Sequence, residues 1–540
     1  MRKPGFWIGA LVGLLLTAPL AGVFYAGWKL AGLPFVPFQT FDRITRLLPG
    51  SVITFGIDSM VNVIRALGIA EVSSAAKLAE QSMAILIFLV LGAVAGAVLF
   101  GILRVLRSGV SVIPGIVLGA AAAAGAVALG RSLGGAESSS LSAEGWVIGG
   151  FLAWGTALGL ANRRLTRHRI ALRGETPHPE YDARVERLDR RSFLVRLGAA
   201  TATITVVGAA VGALAGGRRR PNVASGNRWS ADHPLPNADA DLEPASGTRP
   251  EYTPLEDHYR IDITTSPPVI DATKWRLKVG GLVERPLELT LDQIRAYEPM
   301  HQFVTLACIS NPIGGTLIGT TRWTGVSLQR LLPDLKLKPE ATHLKLSSAD
   351  RFFEFVPIET IRDDPRVMLA YDWDGVPLET KHGFPLRIYI PDLYGMKQPK
   401  WLLSLEATDR WEPGYWVKRG WDRTARMKAT SVIDTIAVDM MIAQADAGTK
   451  IPIGGIAHAG ARGISRVEVR TDDGPWREAR LRSPLSDTTW VVWRYDWPFQ
   501  SGNHTFTVRC IDGRGGAQIV EAAPPHPSGA SGLHGKSMML

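Results

Sequence analysis

The chain has 540 residues, with 60 Lys and Arg against 50 Asp and Glu, and only two cysteines, Cys308 and Cys510. That length exceeds one ordinary domain, and two distant cysteines make no disulfide framework. The formal charge of +10 is lopsided: residues 1–220 hold 23 Lys and Arg and 11 Asp and Glu, the rest 37 and 39. The C-terminal part therefore lacks the basic face that nucleic-acid binding requires.

Five apolar windows open the chain, roughly Phe6–Leu33, Met83–Leu103, Val110–Leu129, Trp146–Ala161 and Phe193–Ala215. A spanning helix needs about 20 mostly apolar residues, and the fourth window is the shortest. Arg104 and Arg107 separate the second and third windows, and seven Arg from Arg163 to Arg187 separate the fourth and fifth. The alternate loops, around 34–82 and 131–145, are poorer in Arg and Lys. This positive-inside pattern predicts a transmembrane bundle over 1–216, with the N-terminus in the cytoplasm and everything after it outside. An amphipathic helix is predicted near Val61–Leu67. Asp189-Arg190-Arg191-Ser192-Phe193-Leu194 is similar to a twin-arginine export signal, a route for folded cargo. No His falls in the apolar windows, so no membrane haem is expected there.

Residues 217–251 are rich in Arg, Pro, Asn, Ala and Asp without apolar periodicity, and read as a linker. From Tyr252 to about 425 short strands (Trp275–Val279, Phe303–Ala307, His343–Ser347, Leu386–Ile390) alternate with short helices (Leu291–Ala296, Ser327–Leu332), which predicts an α+β domain. From 426 to 535 the texture is all-β. Ile433–Val438, Gly463–Thr471, Trp490–Asp496 and Gly502–Asp512 are separated by turn signals, as in a β-sandwich. The tail from Pro524 reads as irregular. Cys510, inside an apolar strand, reads as a buried small hydrophobe.

Chemistry concentrates in three segments of the middle domain. The first is His258-Tyr259-Arg260-Ile261-Asp262. The second is Cys308-Ile309-Ser310-Asn311-Pro312, followed by Arg322-Trp323-Thr324-Gly325. The third is His382-Gly383-Phe384-Pro385-Leu386-Arg387, followed by Gly395-Met396-Lys397-Gln398-Pro399-Lys400-Trp401. The third segment has the makings of an anion pocket, because Arg and Lys are natural phosphate partners and its Gly and Pro fix a non-helical backbone. No Gly-rich nucleotide loop accompanies it. Cys308 by itself leaves open a core thiol, a nucleophile or a metal ligand.

Taken in order over about 252–535, these motifs resemble the sulfite oxidase family of molybdenum enzymes: C-x-x-N, W-x-G, HGFP-x-R, then K-W. The resemblance implies a molybdenum-molybdopterin cofactor, with Cys308 as the protein thiolate on the metal. It also implies a sulfite oxidase-like molybdopterin domain over 252–425 and an immunoglobulin-like domain over 426–535, of the type that often dimerises. Tyr259, Arg260, Ile261, Asp262, Asn311, Asp350, His382, Arg387, Gln398, Pro399 and Lys400 fall at positions similar to those that hold the pterin and its phosphate. A soft thiolate suits a metal already held through sulfur.

The chain also departs from that family. Sulfite-oxidising members carry Arg directly after the Asn of the Cys loop, where this chain has Pro312. They also carry a Tyr in a segment similar to Tyr415–Asp422, where this chain has Trp421. Arg322, Lys418 and Arg419 are the cations available to replace the lost charge. The expected function is a membrane-anchored oxidoreductase outside the cytoplasm. It would transfer an oxygen atom to or from a small oxyanion or sulfoxide-type substrate and exchange electrons with a separate cytochrome or membrane redox protein. Two rival readings are a hydrolase using Cys308 with His382 and a non-catalytic membrane-anchored binding module.

Overall fold

The computed structural model describes residues 4–50, 72–105, 111–133, 140–167, 179–216, 234–438 and 448–540, with a few positions between 52 and 63. The chain forms two compact units: residues 1–48, 76–222 and 263–266 in one, and 49–75, 223–262 and 267–540 in the other.

The first unit is helical: α1 (Phe6–Ala31), α2 (Val36–Leu47), α3 (Val72–Val105), α4 (Ile113–Leu133), α5 (Leu141–Arg167) and α6 (Pro179–Gly216). Among the described residues four stretches are long and apolar enough to cross a membrane: Phe6–Ala31, Ala75–Val105, Ile113–Ser132 and Arg191–Leu214. The window Trp146–Ala161 is helical, within α5, but it is not among these four. Glu144 on one side and Asn162-Arg163-Arg164 on the other leave its apolar stretch short. The segment predicted as amphipathic near Val61–Leu67 falls almost wholly outside the described residues. Glycines let the helices touch backbone to backbone, as small residues do in lipid. A Cβ on Gly13 of α1 would stand 3.1 Å from Gly96 Cα of α3, and one on Gly119 of α4 would stand 3.1 Å from Gly155 Cα of α5. The buried Thr17 hydroxyl accepts a 3.1 Å hydrogen bond from Trp154 Nε1, so this polar pair is satisfied inside the bundle.

The second unit holds the strands. Those of its first half are β1 (Leu277–Gly281), β2 (Leu287–Leu289), β3 (Met300–Ala307), β4 (Ile318–Ser327), β5 (His343–Ser348), β6 (Phe353–Pro357), β7 (Met368–Trp373), β8 (Val376–Pro377), β9 (Arg387–Tyr389) and β10 (Leu402–Thr408). They make two sheets, β2-β1-β10-β5-β6 and β3-β4-β7-β8, with β9 paired to β7. Short helices, Leu291–Arg295 and Leu328–Leu335, lie where the apolar spacing predicts them. The first has a full capping box between Thr290 and Gln293, which satisfies two otherwise open amides. The main core packs Leu277, Ile294, Leu331, Leu344, Ile361 and Leu405, among others, between the first sheet and these helices.

The second half contains β11 (Thr430–Ile436), β12 (Lys450–His458), β13 (Ile464–Thr471), β14 (Arg477–Glu478), β15 (Arg480–Leu481), β16 (Val491–Pro498), β17 (Asn503–Asp512) and β18 (His534–Met539). These form two four-stranded sheets, β11-β12-β16-β15 and β14-β13-β17-β18. One core is shared between them, with Ile433, Ile453 and Trp493 from one sheet and Val467, Phe506 and Cys510 from the other. The tail read as irregular ends in a strand. His534–Met539 pairs antiparallel with β17, Val508 opposite His534, and its alternating exposure is that of an edge strand.

The described half of the predicted linker, from residue 234 to 251, is also no free tether. Asn237 O, Ala240 O and Glu251 Oε2 accept from the Arg482 guanidinium at 2.9, 3.0 and 3.0 Å. Arg249 grips Asp434 through Nε and Nη2. A guanidinium needs several acceptors in one plane, and the strap supplies them.

Candidate active site

The site grows out of the β3-β4-β7-β9 sheet, whose register sets its side chains. Trp323 on β4 lies opposite Trp373 on β7, their rings 6.1 Å apart and edge to face. Ala370 on β7 faces Arg387, the first residue of β9. Cys308 follows β3 directly and is buried in one cluster with Tyr259, Trp323 and Trp373.

The Cys loop is closed by its own side chain. Asn311 Oδ1 accepts from Leu317 N at 2.9 Å, Cys308 N donates to Leu317 O at 2.9 Å, and Asn311 N donates to Cys308 O at 3.0 Å. A Cβ on Gly315 would collide with Asn311 Oδ1, so the loop needs glycine there. The Cys308 thiol lies 3.0 Å from the Ser310 hydroxyl. Burial pushes its pKa up, against smaller opposing effects from Ser310 and Lys400. A bare thiol here would stay protonated at neutral pH, whereas a bound metal would hold it as thiolate.

Beside it the cationic segment is packed tightly. Gly383 has φ +114°, and a Cβ there would sit 3.2 Å from both Arg387 Cβ and Lys400 Cβ. Glycine thus lets the two cations converge. Arg387 Nη1 donates to His382 O at 3.0 Å, and its guanidinium lies 4.5 Å from the Trp323 ring centroid. Lys400 Nζ donates to Asp262 Oδ2 at 3.1 Å and to Lys381 O at 3.2 Å, while Arg260 Nε donates to the same Asp262 oxygen at 2.7 Å. Burial pulls Lys400 down to about 8 against the opposing Asp262, and brings Arg387 to about 10. Both positions would be relieved by a negative group placed between them.

Two histidines complete the cluster. His258 and His382 are buried, with ring centroids 5.6 Å apart, and His382 is tilted over Trp373 at 4.5 Å. Burial, reinforced by Arg387, lowers His258 to about 3. Burial and the neighbouring cations lower His382 well below its ordinary range. Each ring is therefore neutral, with one donor and one acceptor nitrogen.

Five buried polar atoms in this cluster have no hydrogen-bond partner among the described residues: His258 Nε2, Trp323 Nε1, Trp373 Nε1, His382 Nε2 and Arg387 Nε. Buried polar groups are normally paired, so this concentration marks the place of a polar, anionic guest. Among the described residues no three His, Cys, Asp or Glu converge on a metal position. A metal at Cys308 would be held by one protein sulfur and by sulfur of its own cofactor. Cys308 would supply that sulfur, Arg387 and Lys400 would take the phosphate, and the histidines and Tyr259 would border the pterin.

The remaining expected site residues separate into groups. Gln398 Nε2 donates to Ile390 O and Leu393 O and Pro399 O accepts from Ile388 N at 3.2 Å, so both shape the loop that carries Lys400. Asp350 accepts from Phe352 N at 3.0 Å in the β5–β6 turn, next to Ala349, whose N bonds Trp401 O. Ile261 is exposed. Arg322 pairs with Phe303 across the sheet, on the face of β4 opposite Trp323. Lys418 and Arg419 lie over the rings of Phe353 and Tyr415, at 4.9 and 3.7 Å. Trp421 packs with Ala307 and Ile309, the two neighbours of Cys308. His258 and Trp373 are additions from the structure. His258 stands in the first motif, whereas Trp373 has no signal apart from its register with Trp323. No Cys308–His382 hydrogen bond exists among the described contacts, and the thiol's partner is Ser310, which leaves the hydrolase reading without its pair.

A buried thiol beside converging cations and unpartnered polar atoms fits a redox enzyme that binds an anionic, metal-bearing pterin cofactor. The oxidoreductase molybdopterin-binding domain family matches residues 264–416. The Bacillus subtilis oxidoreductase YuiH, itself uncharacterized, is 30% identical over 169 residues, 30% of this chain and 83% of that protein. Sulfite oxidase of Gallus gallus is 25% identical over 303 residues, 48% of this chain and 66% of the enzyme. YedZ1 of Azospira oryzae, named as a protein-methionine-sulfoxide reductase subunit, is 29% identical over 188 residues, 35% of this chain and 68% of that one. The chain belongs to the sulfite oxidase-like family of molybdopterin-dependent oxidoreductases, and its cofactor is molybdenum-molybdopterin.

Proposed function

We propose that the protein is a membrane-anchored reductase of small sulfoxide-type substrates, working outside the cytoplasm with electrons from a separate cytochrome or membrane redox protein. When bound, molybdenum supplies a centre that exchanges two electrons and an oxygen atom with substrate. The net change is cleavage of a sulfur–oxygen bond: two electrons and two protons enter, and a sulfide and water leave.

The observation that carries this reading is the surface beside the Cys loop. A cavity of about 40 Å³ is lined there by Asn311, Pro312, Ile313, Tyr394, Met427 and Lys428, among others. Pro312 takes the position similar to that of the arginine in sulfite-oxidising members, and Lys428 Nζ already donates to Gly529 O at 2.6 Å. Arg249, on another wall, is spent on Asp434. The cavity mixes Ile313, Ile318 and Met427 with Asn311, Tyr394, Thr430 and His458, and with Pro312 in place of an arginine it favours a neutral oxygen-bearing molecule over a dianion. The four apolar helices and the arginine-rich loops support anchoring, and the twin-arginine pair supports export. The two-sheet C-terminal part fits an immunoglobulin-like domain that pairs two copies.

The test is an assay of full-length protein with methionine sulfoxide or dimethyl sulfoxide and reduced viologen, alongside sulfite and ferricyanide. Sulfoxide-dependent dye oxidation that vanishes in Cys308→Ser is expected. Turnover of sulfite with none of sulfoxide would overturn the substrate assignment.

A further inference from the structure

Behind the cofactor turn lies a buried ion pair that touches none of the groups described so far. Lys397 Nζ and Glu354 Oε1 are 2.9 Å apart, with side-chain exposures of 4% and 0%. Glu354 Oε1 also accepts from Phe355 N at 3.0 Å, and Oε2 has no hydrogen-bond partner among the described residues. Burial raises the carboxyl's pKa, and Lys397 opposes that shift. A buried pair costs desolvation at both ends and is weak evidence for stability, which leaves its placement to be explained.

Each end of the pair belongs to a loop at the site. Lys397 closes the turn Gly395–Lys397. At the other end of that turn, a Cβ on Gly395 would stand 3.3 Å from Tyr259 Oη and 3.5 Å from Ala307 O, the residue before Cys308. Beyond the turn come Gln398, Pro399 and Lys400. Glu354, on β6, packs flat on Gly414, where any Cβ would collide with both carboxylate oxygens. Its neighbour Phe353 O accepts from Tyr415 N at 3.0 Å, and Gly414 O accepts from Lys418 N at 3.0 Å. Gly414 thus begins the loop that delivers Lys418, Arg419 and Trp421.

We infer that Glu354 and Lys397 are a positioning pair. One carboxylate fixes both the turn that sets Lys400 and the Cys308 flank and the loop whose Trp421 packs on Ala307 and Ile309, so that the two sides of the Cys308 loop keep one spacing.

The test uses the full chain, prepared from molybdenum-replete and molybdenum-deprived cells. The variants are Glu354→Gln, Lys397→Met, the double Glu354→Gln/Lys397→Met, and Gly414→Ala. Three quantities are read: melting of the metal-free protein, molybdenum retained per chain after dialysis, and the paramagnetic resonance spectrum of the bound metal. The single variants leave a buried charge unpaired and melt lower. The double variant removes both charges and recovers most of that melting, yet retains molybdenum about tenfold less well and shows a shifted spectrum. Gly414→Ala keeps both charges, displaces the carboxylate, and shifts the spectrum in the same way. A double variant that melts, loads and resonates like wild type overturns the proposal. If the double variant does not fold, wild-type retention and spectrum in Gly414→Ala overturn it. Absence of molybdenum from the wild type would strike the cofactor assignment instead.

Discussion

Cys308 and Cys510 are both free, both buried and both at strands of the second unit, yet their surroundings have opposite characters. Around Cys510 the polar groups are matched. Gln518 Oε1 accepts from Ser431 Oγ at 2.6 Å and from Cys510 N at 3.1 Å, and Gln518 Nε2 donates to Gly532 O at 2.8 Å. Burial pushes this thiol up to about 12, and it packs as a small apolar side chain between two sheets. Around Cys308 five buried polar atoms lack partners among the described residues, and burial lowers the pKa of two cations. Burial alone therefore does not identify a functional cysteine. Unspent polar capacity beside Cys308 is what singles it out as the candidate.

Replacing each thiol tests that contrast most strongly. Cys308→Ser is expected to lose bound molybdenum and turnover by more than the roughly 10- to 100-fold that loss of an outer partner costs, while Cys510→Ala keeps both. Arg387→Met removes a cation that would face the cofactor's phosphate and is expected to lower cofactor retention about 10- to 100-fold, read as molybdenum per chain after dialysis.

Lys400 sharpens the same comparison through pH. Its pKa is about 8 in the folded protein against 10.5 ordinarily. Between these values the unfolded chain binds more protons than the folded one, so metal-free protein gains stability as pH rises from 8 to 10.5. The cofactor's phosphate prefers the protonated amine, so retention should fall above pH 8, by at most about tenfold per pH unit. Melting and retention would then move in opposite directions across one window, and parallel movement would show that Lys400 does not face the anion.

Smaller effects follow at the supports. Gly383→Ala, forced into φ +114° between Arg387 and Lys400, should cost about 1–3 kcal/mol in denaturant unfolding and lower cofactor content with it. Cys510→Ala should cost only about 1 kcal/mol and leave cofactor content untouched.

Much of this contrast is written locally in the chain. The strand into Cys308, the glycines and proline after it, and the run from His382 to Lys400 declare themselves by spacing. Asn311 closing its own loop is what C-x-x-N provides. What the sequence conceals depends on pairing. β7 is buried along nearly its whole length, so it shows no alternation, and Trp373 joins the site only because β7 pairs with β4. Arg322 presents itself as a replacement cation, but its register with Phe303 turns it to the face away from Trp323. Lys418 and Arg419 are near the site in sequence, yet aromatic rings of their own neighbourhood take them. β18 is hidden by its small and polar residues, and residues 234–251 look like a tether because the guanidinium that collects their carbonyls lies at Arg482.

The central claim is that Cys308, and not Cys510, is the protein ligand of a molybdenum cofactor cradled by Arg387, Lys400 and the two histidines. The most direct measurement is molybdenum per chain in wild type, Cys308→Ser and Cys510→Ala, purified in parallel from molybdenum-replete cells. A full complement in wild type and Cys510→Ala with near-complete loss in Cys308→Ser is the expected result. Equal molybdenum in Cys308→Ser and wild type would contradict the assignment.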